Sequence, residues 1–196
     1  MRTARSRDRY RKPLKNSMLV LFMASCALSV TSCSGASHDP KASPTPSATQ
    51  PTKPADPTET AKTDAIATYQ SYWKEVEKLY ADPSGESAKL KQYAASAALK
   101  NVESDAKQAH DHSRIHIGRV TVGNPTVTEL DLKSKTPRAT LSSCLDISRW
   151  QVVDAKTKKP VSLPANRLTK YVIQSEVERW PGGWRVIRDE PQGKRC

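Results

Sequence analysis

The chain has 196 residues, with 32 Lys and Arg against 20 Asp and Glu, a formal net charge of +12. The cations are unevenly spread. Residues 1–17 carry Arg2, Arg5, Arg7, Arg9, Arg11, Lys12 and Lys15 against Asp8 alone. Without them the remainder holds 25 cations and 19 acids, a net of +6. That excess favours loose contact with anionic surfaces. With no basic helix and no aromatic-basic array, it speaks against nucleic acid as a partner.

The basic segment runs into a short apolar one, Met18 to Val30, and then into Val30-Thr31-Ser32-Cys33. A positive region, a brief apolar region and small residues before a break describe an export signal. The apolar run falls short of the ~20 residues needed to span a bilayer. Val30-Thr31-Ser32-Cys33 resembles the lipobox of bacterial lipoprotein precursors. The resemblance implies a signal peptide over 1–32 and a mature N-terminus at Cys33 carrying a thioether-linked diacylglycerol and further acyl chains such as palmitate. It places the protein at the outer face of a Gram-positive cell membrane, with the membrane as partner through Cys33. More than one acyl chain gives stable anchoring. Cleavage without lipidation, and free secretion, is the alternative.

With Cys26 removed and Cys33 lipidated, Cys144 and Cys196 remain. In an oxidising compartment these two have one intramolecular pairing, so a Cys144–Cys196 disulfide is expected. Two free thiols are the alternative.

Residues 33–62 read as a tether. Six of the chain's 14 prolines fall here, among Ser, Thr and Ala and without a large apolar residue. Such a segment cannot bury a core and is expected to be extended and disordered.

Residues 63–196 form one domain's worth of chain. Ile66, Tyr69, Trp73, Val76 and Tyr80 step by three and four and predict a helix stopped by Asp82-Pro83-Ser84-Gly85. An Ala-rich stretch from Glu86 to Ala109 predicts a second helix, divisible near Ser96. From Ser113 the period becomes two. Strands are predicted through Ile115, Ile117, Val120, Val122, Val127, Leu130 and Leu132, with Gly123-Asn124-Pro125 as a turn or bulge. Others follow over 139–146, 150–154 and 168–180, where Tyr171, Ile173, Ser175 and Val177 share one side. Pro181-Gly182-Gly183 turns the last into Trp184-Arg-Val-Ile-Arg188 as a hairpin, with Trp180 and Trp184 expected to stack across it. Helices first and antiparallel strands after make an α+β domain with helices on one face of a curved sheet.

The helix with Tyr69 and Trp73, the Leu90-Lys-Gln-Tyr93 stretch, Cys144-Leu-Asp146, Tyr171-Val-Ile, Gly183-Trp184-Arg-Val186 and Gly193-Lys-Arg-Cys196 together resemble actinobacterial secreted or lipoprotein domains of the NTF2-like superfamily, cone-shaped and ketosteroid-isomerase-like. The resemblance covers 63–196 and departs at His110-Asp-His112, which replaces a Gly-containing turn. It implies a pocket between sheet and helices but no reaction, because the fold hosts isomerases, dehydratases, ligand binders and interaction modules.

Three groups are candidates for chemistry. His110, His112 and His116 lie close in sequence, with Asp111 and Asp146 as possible partners; a strand over 112–116 would set His112 and His116 on one face. A polar turn with one surface histidine is the plainer reading, and neither a metal nor a cofactor is expected. Asp146, if inward, would have its pKa raised by desolvation and serve as a base; otherwise it caps a strand end or pairs with Arg149 or Arg179. Tyr69, Trp73, Tyr93 and Tyr171 are core residues or, alternatively, line a pocket mouth. Lys156, Lys158, Lys159, Arg167 and Lys170 form a basic stretch, a solvated turn or a site for anionic polymer. The first functional expectation is a non-catalytic lipid-anchored module for a protein, wall polymer or small ligand. An isomerase- or dehydratase-type enzyme using Asp146 or a histidine comes second, and a subunit that homodimerises through its sheet third.

Overall fold

The computed structural model describes residues 56–196. The leader, Cys26, the lipobox with Cys33 and most of the tether lie outside the described residues.

Helix α1 runs Pro57–Ala81, six residues earlier than the predicted domain boundary at 63. Its start is set by Asp56, whose Oδ1 accepts the Thr58 N–H at 2.8 Å, and by Pro57, which fits the first turn because its missing donor is not needed there. Residues 57–62 are therefore helix and not tether. At the other end Asp82 turns extended and its N–H closes on Lys78 O.

The second predicted helix divides near Ser96, and its first half is shorter than expected. A 3-10 turn at Leu90–Gln92 comes first, and α2 spans Ser96–Asp111. Alanine favours helix, yet Ala94 and Ala95 are taken by the sheet: Val186 donates to Tyr93 O at 2.8 Å and Ala95 donates to Val186 O at 2.9 Å. Tertiary hydrogen bonds outweigh local propensity there.

Six strands follow: β1 Arg114–Gly118, β2 Thr121–Asp131, β3 Arg138–Asp146, β4 Trp150–Asp154, β5 Lys170–Trp180 and β6 Gly183–Pro191. They form a four-stranded antiparallel sheet, β2-β3-β5-β6, and a two-stranded one, β1-β4. The fold is α+β. Gly123-Asn124-Pro125 is a bulge inside β2, since pairing jumps from Gly123 with Cys144 to Thr126 with Ser142. In register terms β1–β2 and β3–β4 are the two arms of one long hairpin. Arg114 pairs with Asp154, Gly118 with Trp150, Thr121 with Asp146 and Asp131 with Arg138. The arms part between Gly118 and Thr121.

The core lies between the helices and one face of the larger sheet. Tyr69, Tyr72, Trp73 and Val76 from α1 meet Ala139, Leu141 and Leu145 of β3, Ile173 and Val177 of β5, and Trp184 and Val186 of β6. Each of the large side chains among these is worth roughly 1.5–3 kcal/mol when fully buried.

Cys144 and Cys196 form a disulfide, with Cα atoms 5.8 Å apart. Alternation puts Ala139, Leu141, Ser143 and Leu145 inward, so Cys144 lies on the opposite face of β3. The chain beyond β6 reaches it across Val172, which accepts from Gln192 and donates to Lys194 O.

Candidate functional site

The core face of the sheet carries a polar cluster that alternation does not predict. Trp184 and Val186 of β6 point inward. Opposite them the pairing shifts: Val177 meets Val186, but Glu176 meets Arg188, leaving Ile187 unpaired. This bulge reverses the parity of β6. Asp189, not Arg188, then turns inward and pairs with Ser175. Its carboxylate accepts the Ser175 hydroxyl at 2.5 Å. One turn of side chains away, the Ser143 hydroxyl donates to the Tyr69 hydroxyl at 3.3 Å.

The residue Asp189 is only part-buried, but its carboxyl end faces the interior. Burial pushes its pKa up to about 7, opposed by hydrogen bonds from Ser175 and Tyr69. The Tyr69 and Tyr72 hydroxyls are raised as well, first by burial and then by the negative charge of Asp189.

Asp146 is not this inward acid. It shares the outward parity of Cys144, and its Oδ1 accepts the Ser148 N–H at 2.9 Å, capping the end of β3. Hydrogen bonding by Ser148 holds its pKa below the usual carboxylate value, the reverse of what a pocket base requires.

Of the proposed pocket aromatics, Tyr69 is fully buried and Trp73 nearly so, both inside the core cluster. Tyr93 and Tyr171 pack against it half-buried. Trp180 and Trp184 do not stack. Register sets Trp180 opposite Gly183 and Trp184 opposite Arg179, and Trp180 is 41% exposed while Trp184 is 4% exposed.

The histidines are split by position within the fold. His112 ends α2, with its Nδ1 2.8 Å from Gln108 O, and His110 Nε2 lies 3.2 Å from Tyr80 O. His116 stands in β1 among aromatic rings: stacked on Tyr80 at 4.6 Å and edge-on to Trp150 at 4.4 Å. Trp73 extends this cluster, 6.4 Å from Trp150. The Nδ1 of His116 and the indole N–H groups of Trp73, Trp150 and Trp184 are buried without hydrogen-bond partners. Burial first, then the His110 and Arg167 charges, push the His116 pKa down to about 4, so the ring is neutral at pH 7. His112 and His116 line one open groove of about 490 Å³ with Tyr80, Asp105, Arg114 and Leu163. Among the described residues no three His, Cys, Asp or Glu side chains gather as a metal-ligand set.

The basic stretch divides. Lys156, Lys158 and Lys159 are exposed on the β4 turn, whereas Arg167 enters a separate groove with Thr169 and Arg195.

No family model and no curated protein matches the chain. Among solved structures it is similar to the intermembrane space region of the chloroplast protein ARC6, at 14% identity over 70% of this chain and 98% of that one, with a TM-score of 0.44. At that level the likeness carries no argument about fold or function.

Proposed function

We propose that the protein is a lipid-anchored, non-catalytic interaction module: Cys33 fixed in the outer face of the membrane, a proline-rich spacer, and an NTF2-like cone that offers its outside to a wall polymer or protein. One observation carries the non-catalytic part. The space between α1 and the sheet, where such a cone would hold a ligand, is filled by Tyr69, Tyr72, Trp73 and Trp184, all buried. Binding then falls to the open grooves on the surface. The Cys144–Cys196 disulfide supports an address outside the reducing cytoplasm.

The enzyme reading gains one feature, an inward acid at Asp189 beside Tyr69, in place of Asp146 or a histidine. Dimerisation through the sheet is the weakest reading. The outward face bears ion pairs, Arg138–Glu178 at 2.8 Å and Arg188–Glu176 at 3.8 Å, which a dry sheet-to-sheet contact would have to bury.

The test is fractionation of a Gram-positive host expressing the chain and its Cys33→Ala variant. The wild type is expected in the membrane fraction and labelled by palmitate, and the variant unlabelled and released. Unchanged processing and membrane fractionation of the variant would refute the anchor. Loss of biological function in a folded Asp189→Asn chain would turn the choice toward an enzyme.

A further inference from the structure

Three cations from three separate elements meet at one corner of the molecule. Lys74 comes from α1, Arg119 from the link between β1 and β2, and Arg149 from the turn between β3 and β4. They line a groove of about 410 Å³ with Gln70, Trp73, Thr121 and one acid, Glu77. An adjoining groove of about 420 Å³ shares Lys74, Glu77 and Arg119 and adds Tyr93 and Gly118.

The backbone builds this corner. Gly118 takes φ +98°, and a Cβ there would lie 1.9 Å from Arg149 O. Only glycine allows that approach. The approach lets the Arg119 N–H donate to Arg149 O at 3.1 Å, which sets the two arginines side by side. The next residue, Val120, gives its N–H to the Glu77 carboxylate and so docks the corner on α1 one turn beyond Lys74. Arg149 Nη2 reaches Thr121 Oγ1 at 3.5 Å, which turns its guanidinium toward the groove.

The corner also holds acids, Glu77 in both grooves and Asp146 within reach of the Arg149 charge, but fewer than its cations. Glu75 takes Lys78 at 2.6 Å and the Lys89 N–H at 2.6 Å, and Glu77 takes Val120. Lys74, Arg119 and Arg149 form no ion pair with any described carboxylate. Three cations against the one carboxylate of Glu77 leave the groove with a positive excess, which favours an anion. Guanidinium groups match phosphate oxygens bidentately, and an ammonium adds a point charge.

We propose that this corner is a binding site for a phosphate-bearing anion, held by Lys74, Arg119 and Arg149. It rests on the reading of the domain as a binding module and adds a ligand class to it; it does not depend on how the chain is anchored. The site is open to solvent, so binding is salt-sensitive.

The full chain in neutral detergent, titrated with inorganic tripolyphosphate at low salt and followed by amide NMR, tests it. Saturable shifts are expected at Gly118, Arg119, Val120 and Thr121. A Lys74→Gln/Arg119→Gln/Arg149→Gln chain should bind about tenfold more weakly or worse, and Lys156→Gln/Lys158→Gln/Lys159→Gln should bind as wild type. Phosphatidylglycerol in mixed micelles, against phosphatidylcholine, identifies the source. Matching shifts with the anionic lipid support the site with a headgroup as its phosphate; shifts with tripolyphosphate alone support it with a soluble or polymer phosphate. Absence of saturable shifts at these amides, or undiminished binding by the triple variant of the corner, overturns the site. Shifts confined to the Lys156–Lys159 turn overturn it too, while leaving the binding-module reading standing.

Discussion

The carboxyl of Asp189 titrates near neutrality because its charged form loses water and gains only two hydroxyl partners. Its folded pKa, about 7, lies above the 3.8 of a solvated aspartate. The folded state therefore holds the proton more tightly than the unfolded one. This group favours folding below pH 4 and progressively opposes it as pH rises to 7, by on the order of 4 kcal/mol across the window. Asp189→Asn, which keeps the shape and removes the charge, is expected to raise stability at pH 8 and change it little at pH 4, as read by urea unfolding at the two values. An equal change at both would show that folding leaves the carboxyl's pKa where it is in the unfolded chain. His116 acts in the opposite sense. Its pKa falls from 6.5 to about 4 on folding, so it supports the fold above pH 6.5 and loses that support as pH drops toward 4. His116→Phe preserves a ring between Tyr80 and Trp150 and removes the unpartnered Nδ1. Thermal unfolding at pH 5 should then show the variant melting above the wild type, with a smaller difference at pH 8.

At the level of elements, the clasp between Gly118 and Arg149 decides whether the two sheets can share one pair of arms. Gly118→Ala puts a methyl against the Arg149 carbonyl at a φ suited to glycine. We expect a loss of about 3 kcal/mol or more in denaturant unfolding; a loss below about 0.5 kcal/mol would mean that the corner yields freely. The elements themselves were largely readable. The three-four step of Ile66 to Tyr80 found α1, alternation found β3 and β5, and Pro181-Gly182 found the β5–β6 hairpin. What escaped has common causes. The break near Ser96 was readable, but the reduction of the first half to one 3-10 turn was not, because β6 claims the hydrogen bonds of Ala94 and Ala95. Asp189 escaped because the unpaired Ile187 inverts the face of every later residue in β6, and a bulge of that kind leaves no local signature. Of the two readings open for Asp146, the strand-end cap holds and the inward base does not, because Asp146 shares the outward face of Cys144. The basic corner was invisible for a different reason. Lys74, Arg119 and Arg149 stand far apart in the chain, and only the fold brings them together.

Over the whole molecule, the Cys144–Cys196 bond closes a separation of 52 residues around β4, β5 and β6. A loop of this size contributes about 4 kcal/mol in the chain-entropy view. Cys196→Ser is expected to lower the urea midpoint by a corresponding amount, and reductant should do the same to the wild type but leave the variant unchanged. The exposed ion pairs weigh little beside it, since such pairs are worth roughly 0–1 kcal/mol each. The long hairpin from Arg114 to Asp154 also sets an order of events. Once residues 132–137 have closed their turn, β2 pairs with β3, and β1 with β4 follows along the same arms, each step extending a ladder and none closing a new large loop. A chain delivered N-terminus first can complete this zipper before β5 and β6 have arrived. Both sheets can thus be seeded from a single early hairpin, with the second half of the larger sheet added onto an edge that already exists.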